Sequence, residues 1–277
     1  MSYKTIIAYL ARPDGVADVM NVALPLAEKF GAHLIGMHVS SGVPVMGTIA
    51  SQVPHEIIEQ YAQHMREDAE AIEDAFSNAV KGAKVQTEWR QHIQKVLGMD
   101  ILHMISEQTR CADLVVMGQS DSEQRVGELT ADIIIAAGRP VIVVSKTGPA
   151  TNLAGKIVVA WDGSREAARA AFDSLSLLQE AQSVYVVTIQ KDIGKDAVTL
   201  GGGELALSLA RHGVNAEAVV LDSDASAGET LTKYVSENDC DLIVMGCYGH
   251  SRLRERLFGG ATRHILREMI VPVLMSH

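Results

Sequence analysis

The chain has 277 residues, enough for two domains of about 100–200 residues or for one large α/β domain. It is 47% hydrophobic but only 4% aromatic, so its core is mainly aliphatic, which suits parallel α/β layers. The formal charge of −10 argues against a general nucleic-acid or membrane-surface binder, because an acidic surface is repelled by both of these polyanions.

The first predicted element is an alternating strand from Lys4 to Tyr9, which follows no charged and apolar leader pattern. No apolar run approaches the ~18–20 residues that cross a bilayer. The three cysteines, Cys111, Cys240 and Cys247, form no CxxC pair and are too few for a disulfide framework. We therefore expect a cytoplasmic protein without membrane insertion.

The first half continues with alternating strand and helix patterns, interrupted by a longer segment from about Ser40 to Gly82. This segment contains a loop rich in glycine and proline and a helix near His55 to Val80. Acidic residues recur along that helix, and a solvated acidic face is its simplest interpretation.

An internal repeat determines the domain organisation. The strand Ala112–Gly118 (ADLVVMG) recurs as Cys240–Gly246 (CDLIVMG), 128 residues later, and each copy is followed by a helix and a strand that begins with proline. A strand opening on lysine precedes each copy, at Lys4 and at Lys156. A linker lies between the copies, so we predict domains at residues 1–147 and 155–277.

In the second half we predict strands at about 156–161, 183–189, 214–221, 241–245 and 271–275, with helices between them, for instance Arg165 to Gln179 and Ala227 to Asn238. Such alternation indicates βαβ units and two open five-stranded parallel sheets. Strands this apolar need to be covered on both faces.

The pattern most indicative of function follows the fourth strand of the second half. Glycines let backbone N–H groups approach an anion, and the N-terminus of a following helix attracts negative charge. We predict that this loop binds phosphates, through Gly246, Gly249, Gly259, Gly260, Ala261 and Thr262. We expect Thr262 to cap the helix or to donate its hydroxyl group.

Charge favours a site in the second copy only. Residues 247–270 hold five arginines and two glutamates, a net of +3, whereas residues 119–139 hold two arginines and four acidic residues, a net of −2. The first copy is also four residues shorter here, with 22 positions from Gly118 to Pro140 against 26 from Gly246 to Pro272. Asp121 replaces the second glycine, and its carboxylate would repel a phosphate.

At these residues the chain resembles the universal stress protein family, whose ATP-binding members carry Gly-x-x-Gly, nine residues, then Gly-Ser/Thr. The resemblance covers both halves and implies that they pack as a pseudo-dimer of Rossmann-like domains. It also implies that Asp162 contacts the adenine or its ribose and that Val187 lines the adenine pocket. Gly260 stands where the family has Ser or Thr. In the first half, Leu10 falls where Asp162 does.

Several alternatives remain beside this interpretation. Asp162 could cap the helix that begins near Ser164, either in place of a ligand contact or in addition to it. Cys247 is a reactive thiol or, more commonly, a small buried residue. The histidines show no paired metal spacing, and His250 is the one that could touch a ligand. Gly201–Gly203 precede a helix but lack the Lys-Ser/Thr of a Walker motif, which favours a flexible turn.

The resulting hypothesis is an ATP-binding regulator or sensor of the stress-response type, with Mg²⁺ or Mn²⁺ accompanying the nucleotide. We identify no catalytic residue and no metal cluster beside the loop, so at most a slow ATPase is expected. A scaffold that regulates a partner protein without binding nucleotide is the alternative, and an adenylating enzyme is a third. A homodimer of tandem chains stays open.

Overall fold

The computed structural model describes residues 2–40, 54–93, 101–120, 126–146, 153–190, 201–247 and 260–277. Its contacts divide the chain into two compact units, a first unit from Tyr3 to Gly118 and a second unit from Gln119 to His277 together with the two N-terminal residues. Strands and helices alternate through both units, which confirms the predicted α/β class.

The first unit is a parallel sheet covered by helices. Its strand order is β3-β2-β1-β4. Helix α1 packs on β1 and β4, and α2 packs on β2. The elements are β1 Thr5–Tyr9, a 3₁₀ turn Pro13–Gly15, α1 Val16–Phe30, β2 His33–Ser40, α2 His55–Ala79, β3 Thr87–Ile93, α3 Ile101–Thr109 and β4 Leu114–Gly118.

The second unit has six strands in the order β5-β10-β9-β6-β7-β8. All neighbouring pairs are parallel except β5 and β10, which run antiparallel. The elements are α4 Val126–Ala137, β5 Val141–Val144, β6 Lys156–Ala160, α5 Arg165–Asp173, α6 Leu175–Leu178, β7 Ser183–Gln190, α7 Gly202–Arg211, β8 Ala216–Asp222, α8 Ala227–Glu237, β9 Leu242–Gly246, α9 Gly260–Glu268 and β10 Val273–Ser276.

The contact boundary differs from the boundary of the sequence repeat. The repeat predicts a first domain at 1–147, whereas residues 119–146 group with the second unit because β5 pairs with β10. The compact units therefore do not coincide with the sequence copies, and the domain limits at 147 and 155 stay a prediction about the repeat.

The aspartate inside the repeated strand motif has a structural role. Asp113 accepts hydrogen bonds from the backbone N–H groups of Lys4 (2.8 Å) and Thr5 (3.0 Å), and Asp241 accepts one from Lys156 (2.7 Å). Each carboxylate thereby satisfies backbone donors where the first strand of its copy begins. The repeated aspartate fixes β1 against β4 and β6 against β9.

The insertion helix α2 is amphipathic, as its acidic pattern predicts. Ala69, Ile72 and Phe76 form its buried stripe, and its acidic residues are exposed apart from the half-buried Asp68. The Phe76 ring lies over Gly36 of β2, where an added Cβ would be 2.5 Å from the ring, and it stacks on Trp89 at 5.3 Å between centroids. The glycine at position 36 therefore lets α2 approach the sheet.

Gly201–Gly203 begin helix α7 and do not form a separate flexible turn. Gly201 has φ +68°, a left-handed conformation that favours glycine. An added Cβ on Gly202 would lie 2.8 Å from the Thr188 hydroxyl oxygen on β7. These glycines therefore allow the first turn of α7 to pack closely on the sheet.

Candidate functional site

The chain order of the second unit creates a switch point between β6 and β9. From β6 the chain moves outward to β7 and β8 and then returns to β9 on the other side of β6. Ala160 of β6 pairs with Met245 of β9, so the carboxyl ends of both strands meet at one edge. Ligands of open α/β sheets usually bind at this place. Asp162 follows the first strand and Gly246 ends the second.

The residues after β6 form a tight turn into helix α5. The Asp162 carboxylate accepts the Ser164 backbone N–H at 2.9 Å, and Gly163 has φ +78°. The Ser164 hydroxyl oxygen accepts the Ala167 N–H at 3.1 Å and is the N-cap of α5. The proposed capping role of Asp162 is therefore wrong, because Ser164 fills it. The Asp162 side chain is exposed at the sheet edge.

Val187 lies on β7 and is buried. Its carbonyl oxygen accepts the Trp161 backbone N–H at 2.8 Å, which extends the pairing of β6 and β7 up to the residue before Asp162. The structure thus brings Val187 next to the turn that carries Asp162. Whether its side chain lines an adenine pocket stays a prediction.

Gly246 is required where it stands because helix α5 lies directly against it. An added Cβ would lie far inside van der Waals distance of the Ala167 backbone nitrogen and the Glu166 carbonyl carbon, and 2.9 Å from the Ala167 Cα. Gly118 ends β4 at the matching position of the first unit. Among the described residues, a Cβ there would meet only the Val19 side chain, at an ordinary 3.6 Å.

Backbone hydrogen bonds between strands show which residue of the first unit corresponds to Asp162. Leu10 donates its backbone N–H to Met37 as Trp161 does to Val187. Leu10 therefore corresponds to Trp161, and Ala11 corresponds to Asp162. The predicted match with Leu10 is wrong by one position. The two lysines that open the strands, Lys4 and Lys156, are 152 residues apart, but corresponding positions of β1 and β6 are 151 residues apart. The first unit still has no carboxylate at this position.

Only part of the predicted phosphate loop lies within the described residues. Gly249, Gly259 and His250 lie outside them, as does Asp121 of the first copy. Helix α9 begins at Gly260, so Gly260, Ala261 and Thr262 form its first turn, where backbone N–H groups have no partner within the helix. Thr262 is buried as the third helical residue, so it is not the cap.

Two contacts that the sequence did not reveal hold helix α9. The Gln119 side-chain amide donates to the carbonyl oxygens of Leu266 (2.9 Å) and Arg267 (3.2 Å) at the end of the helix. Gly228 of α8 faces the His264 side chain, where an added Cβ would lie 2.7 Å from the His264 Cβ. A lone glycine and a lone glutamine carry no sequence signal for such packing.

Glu166 is the most unusual polar residue near the switch point. It is the second residue of α5 and only 6% exposed. One carboxylate oxygen contacts the Arg165 guanidinium at 3.2 Å, whereas the other, Oε2, has no hydrogen-bond partner within the described ranges. Nothing in the sequence distinguishes Glu166, because a glutamate in the first turn of a helix is ordinary.

Cys247, directly after Gly246, is fully buried. Its backbone N–H donates to the Ser276 carbonyl oxygen at 3.0 Å. Burial raises the pKa of its thiol to about 12, and the negative charge of Glu166 adds to that rise. The interpretation of Cys247 as a small buried residue is therefore confirmed, since the reactive thiolate is disfavoured.

Neither a metal cluster nor a membrane span is found in the part of the chain that the structure describes. Its histidine, cysteine and acidic side chains nowhere form a group of three or more suited to a metal ion. None of its helices is both long and apolar enough to cross a bilayer.

Comparison with known proteins supports the predicted family. A model of the universal stress protein family matches residues 154–277. This half of the chain is therefore similar to the universal stress protein family. A universal stress protein of Synechocystis sp. is 28% identical over 170 residues, which cover 58% of this chain and 57% of that protein. The chain thus matches little more than half the length of this relative.

Solved structures extend the likeness over both halves at the level of fold. A universal stress protein from Archaeoglobus fulgidus superposes with a TM-score of 0.74 at 14% identity, over 98% of this chain and 95% of that one. A universal stress protein from Pseudomonas aeruginosa gives 0.61 at 15% identity, over 99% and 93%. At this identity the likeness shows the fold alone. The predicted family and the predicted Rossmann-like fold are confirmed.

Proposed function

We propose that this universal stress protein is a cytoplasmic regulator or sensor that binds one ATP per chain at the switch point of its second unit. The observation that carries the proposal is that β6 and β9 end side by side, with Asp162 following the first of these strands and Gly246 ending the second. A carboxylate suits ribose hydroxyl donors, and backbone N–H groups beside glycine and at a helix N-terminus suit phosphates.

The first unit lacks the carboxylate in the described residues, because Ala11 offers no hydrogen-bonding side chain after β1. It keeps a glycine at the end of β4, but Gly118 is not closely approached by a helix backbone among the described residues. The contrast between units supports a single site, with Asp162 and Val187 on the nucleoside side. We assign the phosphates to the first turn of α9, from Gly260 to Thr262, because the N-terminus of a helix attracts negative charge.

Calorimetric titration of the intact protein with ATP and Mg²⁺ tests the proposal. We expect a stoichiometry of one. Asp162→Asn keeps an oxygen that can accept the Ser164 N–H but removes the charge, and it should weaken binding by about tenfold or more, because hydrogen bonds to charged groups contribute about 1.5–3 kcal/mol.

Asp222→Asn is the matched control for this titration. Asp222 also ends a strand with an exposed carboxylate, but on β8, away from the switch point, so its replacement should leave the affinity unchanged. Absence of binding, two sites per chain, or full affinity in Asp162→Asn would each contradict the proposal.

A second candidate function is a scaffold that binds a partner protein through the insertion helix. In α2 the buried residues begin only at Ala69, and Ile57 near its start is 54% exposed. This unburied first half of α2 offers a surface that nucleotide binding would not use. If ATP does not bind, loss of partner binding in Ile57→Asp would favour the scaffold.

A further inference from the structure

Glu166 places a negative charge beside the proposed phosphate site. Its main chain abuts Gly246, and its carboxylate is close enough to raise the pKa of the Cys247 thiol. Both neighbours lie where β9 ends. Any anion that binds along this strand end is therefore exposed to the field of Glu166.

Solvent screens the charge of the Glu166 carboxylate only weakly. Burial keeps water away from the Glu166 carboxylate, and Oε2 has no donor among the described residues. The Arg165 side chain that contacts Oε1 is 93% exposed, so most of its own charge is solvated. In a site of lowered dielectric, the Glu166 charge acts strongly on a nearby phosphate.

A divalent cation bound to the phosphates would offset the repulsion between them and Glu166. Mg²⁺ is commonly held by one or two carboxylates together with substrate phosphates, so a complete protein cage is not needed. The buried charge of Glu166 fits a site that accepts a nucleotide only together with positive charge.

We propose that Glu166 sets the charge that the site accepts, so that it disfavours free ATP and favours ATP complexed with a divalent cation. This inference rests on the proposed function. Glu166 touches no reacting atom and acts through its electric field alone. A neutral side chain of the same shape should therefore relax the requirement for the cation without damaging the site.

The experiment measures ATP affinity of the intact protein by calorimetry, in Mg²⁺ and in EDTA at equal ionic strength. Glu166→Gln should gain affinity for free ATP on the order of tenfold and change its affinity for the Mg²⁺ complex by less than about threefold. Glu237→Gln removes the same charge from an exposed position on α8, and it should leave both affinities unchanged.

The outcomes of this experiment distinguish a failure of the inference from a failure of the proposed function. If the parent protein does not bind the Mg²⁺ complex, the proposed function is wrong and the inference fails with it. If the parent binds but Glu166→Gln does not gain affinity for free ATP, the inference alone is wrong. A variant that loses affinity in both conditions also overturns it, because Glu166 would then have only a structural role; thermal melting checks that the variant is folded.

Discussion

The replacement Gly246→Ala tests whether the backbone of helix α5 lies directly against the end of β9. Gly246 lies on a regular strand, so alanine is compatible with its conformation and only space opposes it. The new methyl group would overlap the backbone of Glu166 and Ala167, which is not the end of a flexible side chain. Helix α5 would have to shift from β9, its most extensive packing partner among the strands.

The expected loss of stability is about 1–3 kcal/mol, the usual range for overpacking a well-packed interior. For a unit of this size, each kcal/mol lowers the melting temperature by about 2–4 °C, so a decrease of roughly 2–12 °C is expected. Differential scanning calorimetry or circular dichroism measures it. The fold should be retained, since the shift is local.

Gly118→Ala is the matched control, because this glycine ends β4 as Gly246 ends β9. Its Cβ would make only an ordinary contact with Val19, so the melting temperature should stay the same or rise slightly, since alanine restricts the unfolded chain. Equal melting temperatures of Gly246→Ala and the parent would refute the close approach of α5. An equal decrease in both variants would refute the contrast between the units.

Two further predictions concern titratable groups. Hydrogen bonds from Arg90 and His33 lower the pKa of Glu88 from 4.5 to about 2. The stabilisation of the folded state by these hydrogen bonds to Glu88 is therefore present above pH 4.5 and is lost as the pH falls towards 2. Because the group is partly exposed, it amounts to less than about 1 kcal/mol. The difference in melting temperature between the parent and Glu88→Gln should shrink over that range, and a constant difference would contradict this. Burial raises the pKa of Cys240 to about 11 and of Cys247 to about 12, whereas Cys111 is exposed. A thiol reagent at pH 8 should modify one of three cysteines in the native protein and all three after denaturation; rapid modification of a second native thiol would argue against the buried positions.

Most of the fold could be predicted from the repeat and from strand patterns. The predicted strand 183–189 is observed as Ser183–Gln190 and 241–245 as Leu242–Gly246, within one residue. The predicted helix from Arg165 to Gln179 is interrupted at Ser174, whose hydroxyl donates to the Ala171 carbonyl oxygen. Apolar periodicity does not reveal such an interruption, because serine is also tolerated within helices.

The candidate site was predictable only where a residue type signals its own role. Glycine at 246 and aspartate at 162 stand out beside strand ends, and the topology brings them together. Glu166 could not be predicted, because its significance lies in burial without a second partner, which depends on tertiary packing. Counting residues from the two lysines matches Leu10 with Asp162, but the pairing between strands determines which positions of the two units correspond.

The second unit needs strand β5, which belongs to the first copy of the repeat. Val141–Val143 pair with Val273–Met275, and the Ser145 hydroxyl donates to the Met269 carbonyl oxygen at 3.0 Å. Gln119, also from the first copy, holds the end of α9. A fragment that begins at residue 155 would lose all of these contacts and expose the edge of β10. Failure of such a fragment to bind ATP would therefore not refute the site, because the helix that carries Gly260 to Thr262 would lose the contact with Gln119 and keep its packing on α8. The single-site proposal has to be tested by substitutions in the intact chain, where β5 and Gln119 remain in place.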